Sequence, residues 1–371
     1  MIVTQRSASV GRPALVTGAA GQDGYILTRQ LLVEGREVHA LVRRSASVKD
    51  LQQDHHLAGR IVVHEQDLLD ADGLEQLVRA IRPSEIYNLA GQSSVSASFA
   101  DPRATWRTNV EPVITLLEAI RMHSPATILY QSSSSEMFGG LPGETVVHNE
   151  DSPLLPQSPY AAAKAAAHLA CHAYRESYGL RVACGILFNH ESSRRPASFL
   201  TRKVVDHVQR LRFTSPTNLG QTPPLAMGNL AARRDWGHAP DYVDGIRRIT
   251  GQIAVRAQVL GRAPEEDRGS NYRDYVLGTG TLHTVWELVS RAFDLSGLQL
   301  EWDLAGDPSR WSARFRGSSH FAVVVDPTFI RPFDPAAITA DSSRARTELG
   351  WEPQTGLDPF LLEMLEPARA D

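Results

Sequence analysis

Two cysteines, Cys171 and Cys184, in 371 residues leave no room for a disulfide framework or a structural zinc site. Lysine is almost as scarce: of 38 basic residues only Lys49, Lys164 and Lys203 are lysine. In a chain that uses arginine almost everywhere else, a surviving lysine points to a place that wants a compact ammonium. No uninterrupted apolar run approaches the roughly 20 residues of a membrane span. Residues 1–11 lack the charged start, apolar stretch and cleavage site of a secretory leader, so a cytoplasmic setting is expected. The net charge of -4 offers no general attraction to nucleic acid or to an anionic membrane. An anionic ligand must therefore be met by local cations. There are no internal repeats and no low-complexity tracts.

What is present is an apolar fraction of 42% and a charged fraction of 22%, enough for a sizeable core. Short apolar runs at 14–17, 38–42, 61–64, 86–90, 127–131 and 181–188 alternate with helical patterns at 25–34, 74–81, 112–123 and 161–178. That rhythm predicts an α/β fold: a Rossmann-type doubly wound parallel sheet. It breaks near residue 190, after which proline, glycine and arginine become frequent. Residues 1–190 are expected to form the dinucleotide-binding domain, and 191–371 a smaller, mixed, mainly substrate-binding one. Within the latter, 233–258, including a helix at 241–255, is expected to return to the first domain, and 261–274 and 306–319 to be exposed loops.

Thr17-Gly18-x-x-Gly21-x-x-Gly24 follows the first strand and opens the first helix. Glycines there let the backbone turn tightly and approach a pyrophosphate at the helix N-terminus. The second strand ends in Arg43-Arg44 where an acidic residue would suit NAD, and arginine suits the 2′-phosphate of NADP. Asp67, after the third strand, is placed either to meet the adenine or to cap the next helix. Tyr160 and Lys164 stand four apart at a helix start, so both point to one face. A neighbouring ammonium is expected to lower the phenol's pKa, fitting Tyr160 to take a proton from a substrate hydroxyl as hydride leaves the carbon. Upstream, Ser132-Ser133-Ser134-Ser135-Glu136 ends the fifth strand, at the sheet edge where ligands sit.

These segments together resemble an extended short-chain dehydrogenase/reductase, most closely the GDP-mannose 4,6-dehydratase family. The resemblance continues through Ser158-Pro159-Tyr160-Ala161-Ala162-Ala163-Lys164 and Gly185-Ile186-Leu187-Phe188-Asn189-His190-Glu191-Ser192. It extends to Thr201-Arg202-Lys203, Arg234-Asp235-Trp236-Gly237-His238 and Arg331-Pro332. It implies a redox-neutral dehydration of a nucleotide sugar, with Tyr160 and Lys164 at C4, Ser134 on the 4-oxygen and Glu136 as base at C5. NADP would be met by Gly18, Gly21, Gln22, Asp23, Gly24, Arg43, Arg44, Asp67, Leu68, Leu89, Ala90, Gln92, Tyr160, Lys164, Asn189, His190 and Arg195. The sugar nucleotide, a GDP-sugar by preference, would be met by Ser94, Glu136, Asn189, Lys203, Arg234, Arg331 and Asp334. No metal is implied. Arg43–Lys49 and Ser192–Arg195 resemble segments that cross between subunits, so a homotetramer or dimer is expected.

The chain departs from the family pattern at Ser134, usually threonine, at Ser94, usually histidine, and at Phe333-Asp334-Pro335, usually Thr-Glu-Val. Gly220–Pro224 also approaches Gly228 irregularly. A nucleotide-sugar epimerase or 4-reductase is the alternative enzyme. A non-catalytic NADP-binding protein has no use for Tyr160, Lys164 and Glu136 together.

Overall fold

The computed structural model describes residues 13–140, 144–212, 222–260, 272–330 and 337–366. Its first strand, β1 (Ala14–Thr17), is wholly buried, as an inner strand covered on both faces must be. The chain continues through α1 (Gln22–Val33), β2 (Val38–Val42), α2 (Ser45–Gln53), β3 (Val62–Glu65), α3 (Ala71–Ile81) and β4 (Glu85–Asn88). Then come α4 (Val95–Ala100), α5 (Pro102–His123), β5 (Ile128–Ser134), β6 (Thr145–His148), α6 (Pro159–Tyr178), β7 (Val182–Leu187) and β8 (Asn189–Glu191). The remainder holds α7 (Leu200–Arg212), β9 (Leu225–Met227), β10 (Arg233–His238), α8 (Ala239–Leu260), β11 (Tyr275–Leu277) and β12 (Leu282–Thr284). Last are α9 (Val285–Leu295), β13 (Leu300–Asp303), β14 (Ser312–Phe315), β15 (Phe321–Val325), β16 (Ala337–Ala340), α10 (Ser343–Leu349) and α11 (Leu357–Leu365). Among the described residues no helix is long and apolar enough to cross a membrane.

Seven parallel strands form the main sheet in the order β3-β2-β1-β4-β5-β7-β11. The strand order reverses between β1 and β4, the switch point at which open α/β sheets hold ligands. One face is covered by α1 and α8, with Leu27, Leu31, Ile246 and Ile249 buried there, and the other by α3, α5 and α6. The smaller sheets are β12-β10-β8, β13-β14-β15-β9 and β16-β6. A second core, including Val204, Trp236, Leu288, Phe293, Val323 and Phe360, lies among them.

Helix starts follow their caps. Ser158 accepts from Ala161 N at 3.0 Å and Pro159 takes the first turn of α6, which ends at Gly179 in the left-handed region, φ +68°. Helix α5 begins at Pro102 rather than at the expected Pro112. Asp101 caps it through Ala104 N at 2.9 Å, and Pro112 sits inside, giving up one backbone bond. The expected exposed loop at 306–319 carries strand β14, paired on both sides with β13 and β15. Of the other expected loop, 261–271 lies outside the described residues, while Tyr272 is buried and leads directly into the main sheet.

Asp235, on β10, is 1% exposed and joins these parts. It accepts from Thr279 N (2.9 Å), Thr279 Oγ1 (2.5 Å), Gly280 N (2.9 Å), Thr339 Oγ1 (3.1 Å) and Ala340 N (3.1 Å). The turn after β11 and strand β16 are thus both pinned to β10 by one carboxylate. Replacing it strands several buried donors, so Asp235→Ala is expected to lower unfolding stability by about 3 kcal/mol or more, read from urea denaturation.

Candidate active site

The glycine loop is shaped by close contacts that side chains would destroy. Gly18 has φ +69°, and a Cβ on it would lie 3.0 Å from Ala90 backbone atoms, where β1 meets the end of β4. A Cβ on Gly24 would lie 2.3 Å from Gly18 O. Gly21 is the N-cap of α1, and no side chain caps the helix, so its first-turn amides are offered to an anion. The loop fits a dinucleotide pyrophosphate. Leu89 and Ala90 donate their amides to Thr17 Oγ1, both at 3.1 Å, and lie half-buried over the loop.

Gln22 and Asp23 were expected at the cofactor, but their side chains bind the second half of the chain. Gln22 Nε2 donates to His190 O at 3.1 Å, and Gln22 Oε1 accepts from Ser192 Oγ at 3.0 Å. Asp23 Oδ2 lies 2.9 Å from His190 Nε2, and His190 Nδ1 donates to Phe188 O at 2.7 Å. With an oxygen acceptor at each ring nitrogen, His190 carries both protons. Burial works against its charge, but Asp23 overrides it and raises the pKa; Asp23, although buried, is held low in return. Arg195 pairs with Glu191 (3.1 Å) and lies 3.7 Å over the Phe199 ring.

Arg43 and Arg44 are exposed at the end of β2, and Arg44 is the N-cap of α2. Asp67 is exposed and accepts from Leu69 N at 3.0 Å; the cap of α3 is Asp70 instead, accepting from Gly73 N at 3.1 Å. Leu68 is buried. Gln92 Nε2 donates to Ser94 O at 2.7 Å, while Gln92 Oε1 is buried without a partner.

The catalytic candidates gather where β5 meets α6. Tyr160 is 7% exposed, with Ser134 close enough to act on its phenol. Ser134 Oγ also accepts from Glu136 N at 3.3 Å. Glu136, on a single 3₁₀ turn, is half-buried and lines a small pocket with Val95, Phe99, Gly139, Gln157, Ser158 and Ile338. A larger groove lies elsewhere, between α1, α8 and Ser192–Arg194, and is lined by none of these groups.

Lysine does not act on Tyr160 as expected. Lys164 Nζ donates to Ser132 O at 2.9 Å and lies 6.0 Å from the centre of the Tyr160 ring. Burial pushes the Tyr160 phenol up to about 12; Ser134's hydrogen bond and the Arg195 charge pull it down, and Glu136 adds to the rise. Burial also lowers Lys164 to about 8. At both groups desolvation outweighs the neighbouring charges.

On the substrate side, Ser94 caps α4 through Ala97 N at 3.2 Å, so its side chain is committed to the helix. Lys203 Nζ donates to Ala226 O at 2.7 Å and lies 3.6 Å over the Phe329 ring. Asn189 is half-buried at the start of β8, opposite Trp236 of β10. Arg234 donates to Arg233 O at 2.8 Å. Arg331 and Asp334 lie outside the described residues.

Sequence reasoning missed a polar chain crossing three neighbouring strands, β1, β4 and β5. Thr17 Oγ1 donates to Asn88 Oδ1 (2.8 Å), Asn88 Nδ2 to Gln131 Oε1 (2.7 Å), and Gln131 Nε2 to Ser132 O (3.0 Å), which also accepts from Lys164. Polar residues at corresponding strand ends were its only signal. His168, Cys184 and Asp274 also cluster, with ligand-type atoms within 4.8 Å. Asp274, however, already accepts from Arg175 (2.8 and 3.0 Å) and Cys184 N (2.7 Å), and so acts as the counterion of Arg175.

A family model described as GDP-mannose 4,6 dehydratase matches residues 15–364. The chain is 37% identical over 360 residues to a GDP-mannose 4,6-dehydratase of Sinorhizobium fredii, covering 95% of each. It is 34% identical over 368 residues to the human GDP-mannose 4,6 dehydratase, covering 96% of this chain and 92% of that one. Among solved structures, the dTDP-glucose 4,6-dehydratase DesIV of Streptomyces venezuelae, which holds NAD, superposes with a TM-score of 0.68 at 26% identity, covering 95% of each chain.

The Gly24 contact gives a direct test. Gly24→Ala is expected to weaken binding of the reduced nicotinamide dinucleotide, NADH or NADPH, by about 100-fold or more, since the loop must open for the methyl group. Fluorescence titration of the reduced nicotinamide measures it; an unchanged Kd would remove the loop from the cofactor site.

Proposed function

The chain belongs to the GDP-mannose 4,6-dehydratase family, and we propose that it converts GDP-mannose to a 4-keto-6-deoxy sugar nucleotide with NADP held throughout turnover. It is a hydro-lyase. The observation that carries the substrate-level reading is the convergence of Tyr160, Ser134, Glu136 and Lys164 on the β5–α6 junction within a chain matched over nearly its full length.

The residues divide the work as follows. Ser134 donates a hydrogen bond toward the 4-oxygen, and Tyr160 takes the 4-hydroxyl proton. To accept that proton Tyr160 acts as the phenolate, its own proton released to solvent beforehand, with Lys164 and Arg195 as nearby cations. Bound at the glycine loop, a nicotinamide supplies a hydride acceptor for C4 and a hydride donor for C6. Glu136 removes the C5 proton, which the C4 ketone has made acidic. The 4-hydroxyl proton and the hydroxide lost from C6 make up the water released, and C5 regains a proton from the site.

The purified protein should give a product lighter by one water, with no net change in reduced-nicotinamide absorbance and with solvent deuterium at C5. Stoichiometric NADPH consumption would make it a reductase, and a product of unchanged mass an epimerase. Glu136→Gln should lower kcat by about 1000-fold while leaving cofactor affinity intact; full activity would remove Glu136 from the mechanism.

Arg43 and Arg44, exposed where an adenosine 2′-phosphate would lie, support NADP over NAD. Arg44→Ala is expected to weaken NADP about tenfold and NAD hardly at all, one lost charge-assisted bond's worth; equal effects on both would overturn the preference. The proposal extends to a homotetramer or dimer meeting at Arg43–Lys49 and Ser192–Arg195, where Arg43, Arg44, Ser193 and Arg194 are exposed.

A further inference from the structure

Helix α6 meets the end of β5 through three successive rungs. Ser134 lies close enough to Tyr160 to act on its phenol, Lys164 Nζ donates to Ser132 O at 2.9 Å, and His168 Nδ1 lies 3.0 Å from Ser133 Oγ. The three helix residues are spaced four apart and so share one face. The first two rungs involve groups already assigned to the reaction. The third lies outside it, and the residues behind it hold it firmly.

His168 Nε2 is 3.8 Å from Asp274 Oδ2, and the Cys184 Sγ lies within 4.8 Å of the ligand atoms of both. Asp274 is clamped by both terminal nitrogens of Arg175 and by the Cys184 amide. Arg175 is itself 4% exposed and also donates to Val182 O at 3.2 Å. The imidazole is therefore fixed by an ion pair bridging α6, β7 and the head of β11. Ser132–Ser134 are paired in the sheet with Gly185–Leu187 of β7 but carry no bulky side chain to wedge them against α6, so hydrogen bonds across to the helix set that approach.

We propose that His168 is a positioning residue for the Tyr160–Lys164 pair, holding the β5 end through Ser133 so that Ser132 O stays on Lys164 and Ser134 on Tyr160. It touches neither substrate nor cofactor. Its effect is to keep two flanking residues of β5 within hydrogen-bond reach of the reacting groups, a geometry in which shifts of about 1 Å can cost up to roughly 100-fold in rate.

The inference rests on the dehydratase reading, and the test separates the two. His168→Leu and Ser133→Ala should each lower kcat on GDP-mannose about tenfold, with KM within about twofold. His168→Asn, whose amide sits near the position of Nδ1, should recover most of the loss. The double variant His168→Leu/Ser133→Ala should be no worse than His168→Leu, because both changes break one contact. Ser133→Ala removes a single oxygen and carries the test alone if the leucine variant does not fold. Wild-type activity in Ser133→Ala, no rescue by asparagine, or multiplying losses in the double variant would overturn the proposal. Wild-type protein inert on GDP-mannose would defeat the dehydratase reading instead. The same variants are then read by NADPH titration, through Lys164: about fivefold weaker binding, restored by asparagine, is expected, and an unchanged Kd would overturn the role.

Discussion

The glycine loop is held against β8 by side chains that face away from the place it offers a ligand. Gln22 and Asp23 sit in the first turn of α1, where side chains often cap the helix and consume its free amides. Here they grip His190 and Ser192 instead, and the turn has no side-chain cap. The charged Asp23–His190 pair is sheltered from water, so it is screened far less than a surface pair. Strand β8 then pairs with β10, whose Asp235 gathers the turn after β11 and strand β16. A single run of polar contacts thus leads from the loop to the strands expected to meet a sugar nucleotide. Displacing the loop would disturb both halves.

The same desolvation that strengthens those contacts works against charge at the β5–α6 junction. A phenol at about 12 and an ammonium at about 8 have moved toward their neutral forms from opposite sides. The expectation that Lys164 alone would acidify Tyr160 treated the pair as if it stood in water. Burial reverses the net effect, and Lys164 spends its hydrogen bond on a backbone carbonyl. Ser134 and the Arg195 charge are the groups that oppose the rise at Tyr160.

Local signals were legible where local physics decides. Alternating strands and helices foretold the parallel sheet, and the glycine spacing foretold a loop whose close contacts admit no Cβ. Helix α5 was misplaced because Pro112 imitates a first-turn proline, although Asp101-Pro102 carried the stronger signature of cap and first turn. Asp67 and Asp70 compete for one helix start, and only geometry shows that Asp70 wins. Strand β11 spans three residues, too few for any periodicity. The least legible features join distant segments: Gln22 to His190 across 168 positions, and Arg175 to Asp274 across 99. Nothing in the neighbourhood of either residue announces its partner.

The departures at Ser94 and Ser134 also change meaning once placed. Ser94 does not present a free side chain to a ligand; it caps α4. Through that short helix it sets Val95 and Phe99, which wall the pocket beside Glu136 together with Ile338. A small capping residue there acts on the shape of an apolar wall rather than on a contact. Ser134 keeps the hydroxyl but lacks a β-branch, so its χ1 is less constrained than a threonine's would be. Its position must then come from its partners, the Tyr160 phenol and the Glu136 amide, and from the neighbouring β5 residues tied to α6. What a β-branched side chain does by stiffness, this chain does by hydrogen bonds, and the adjacent Ser133–His168 contact becomes part of how the site keeps its shape.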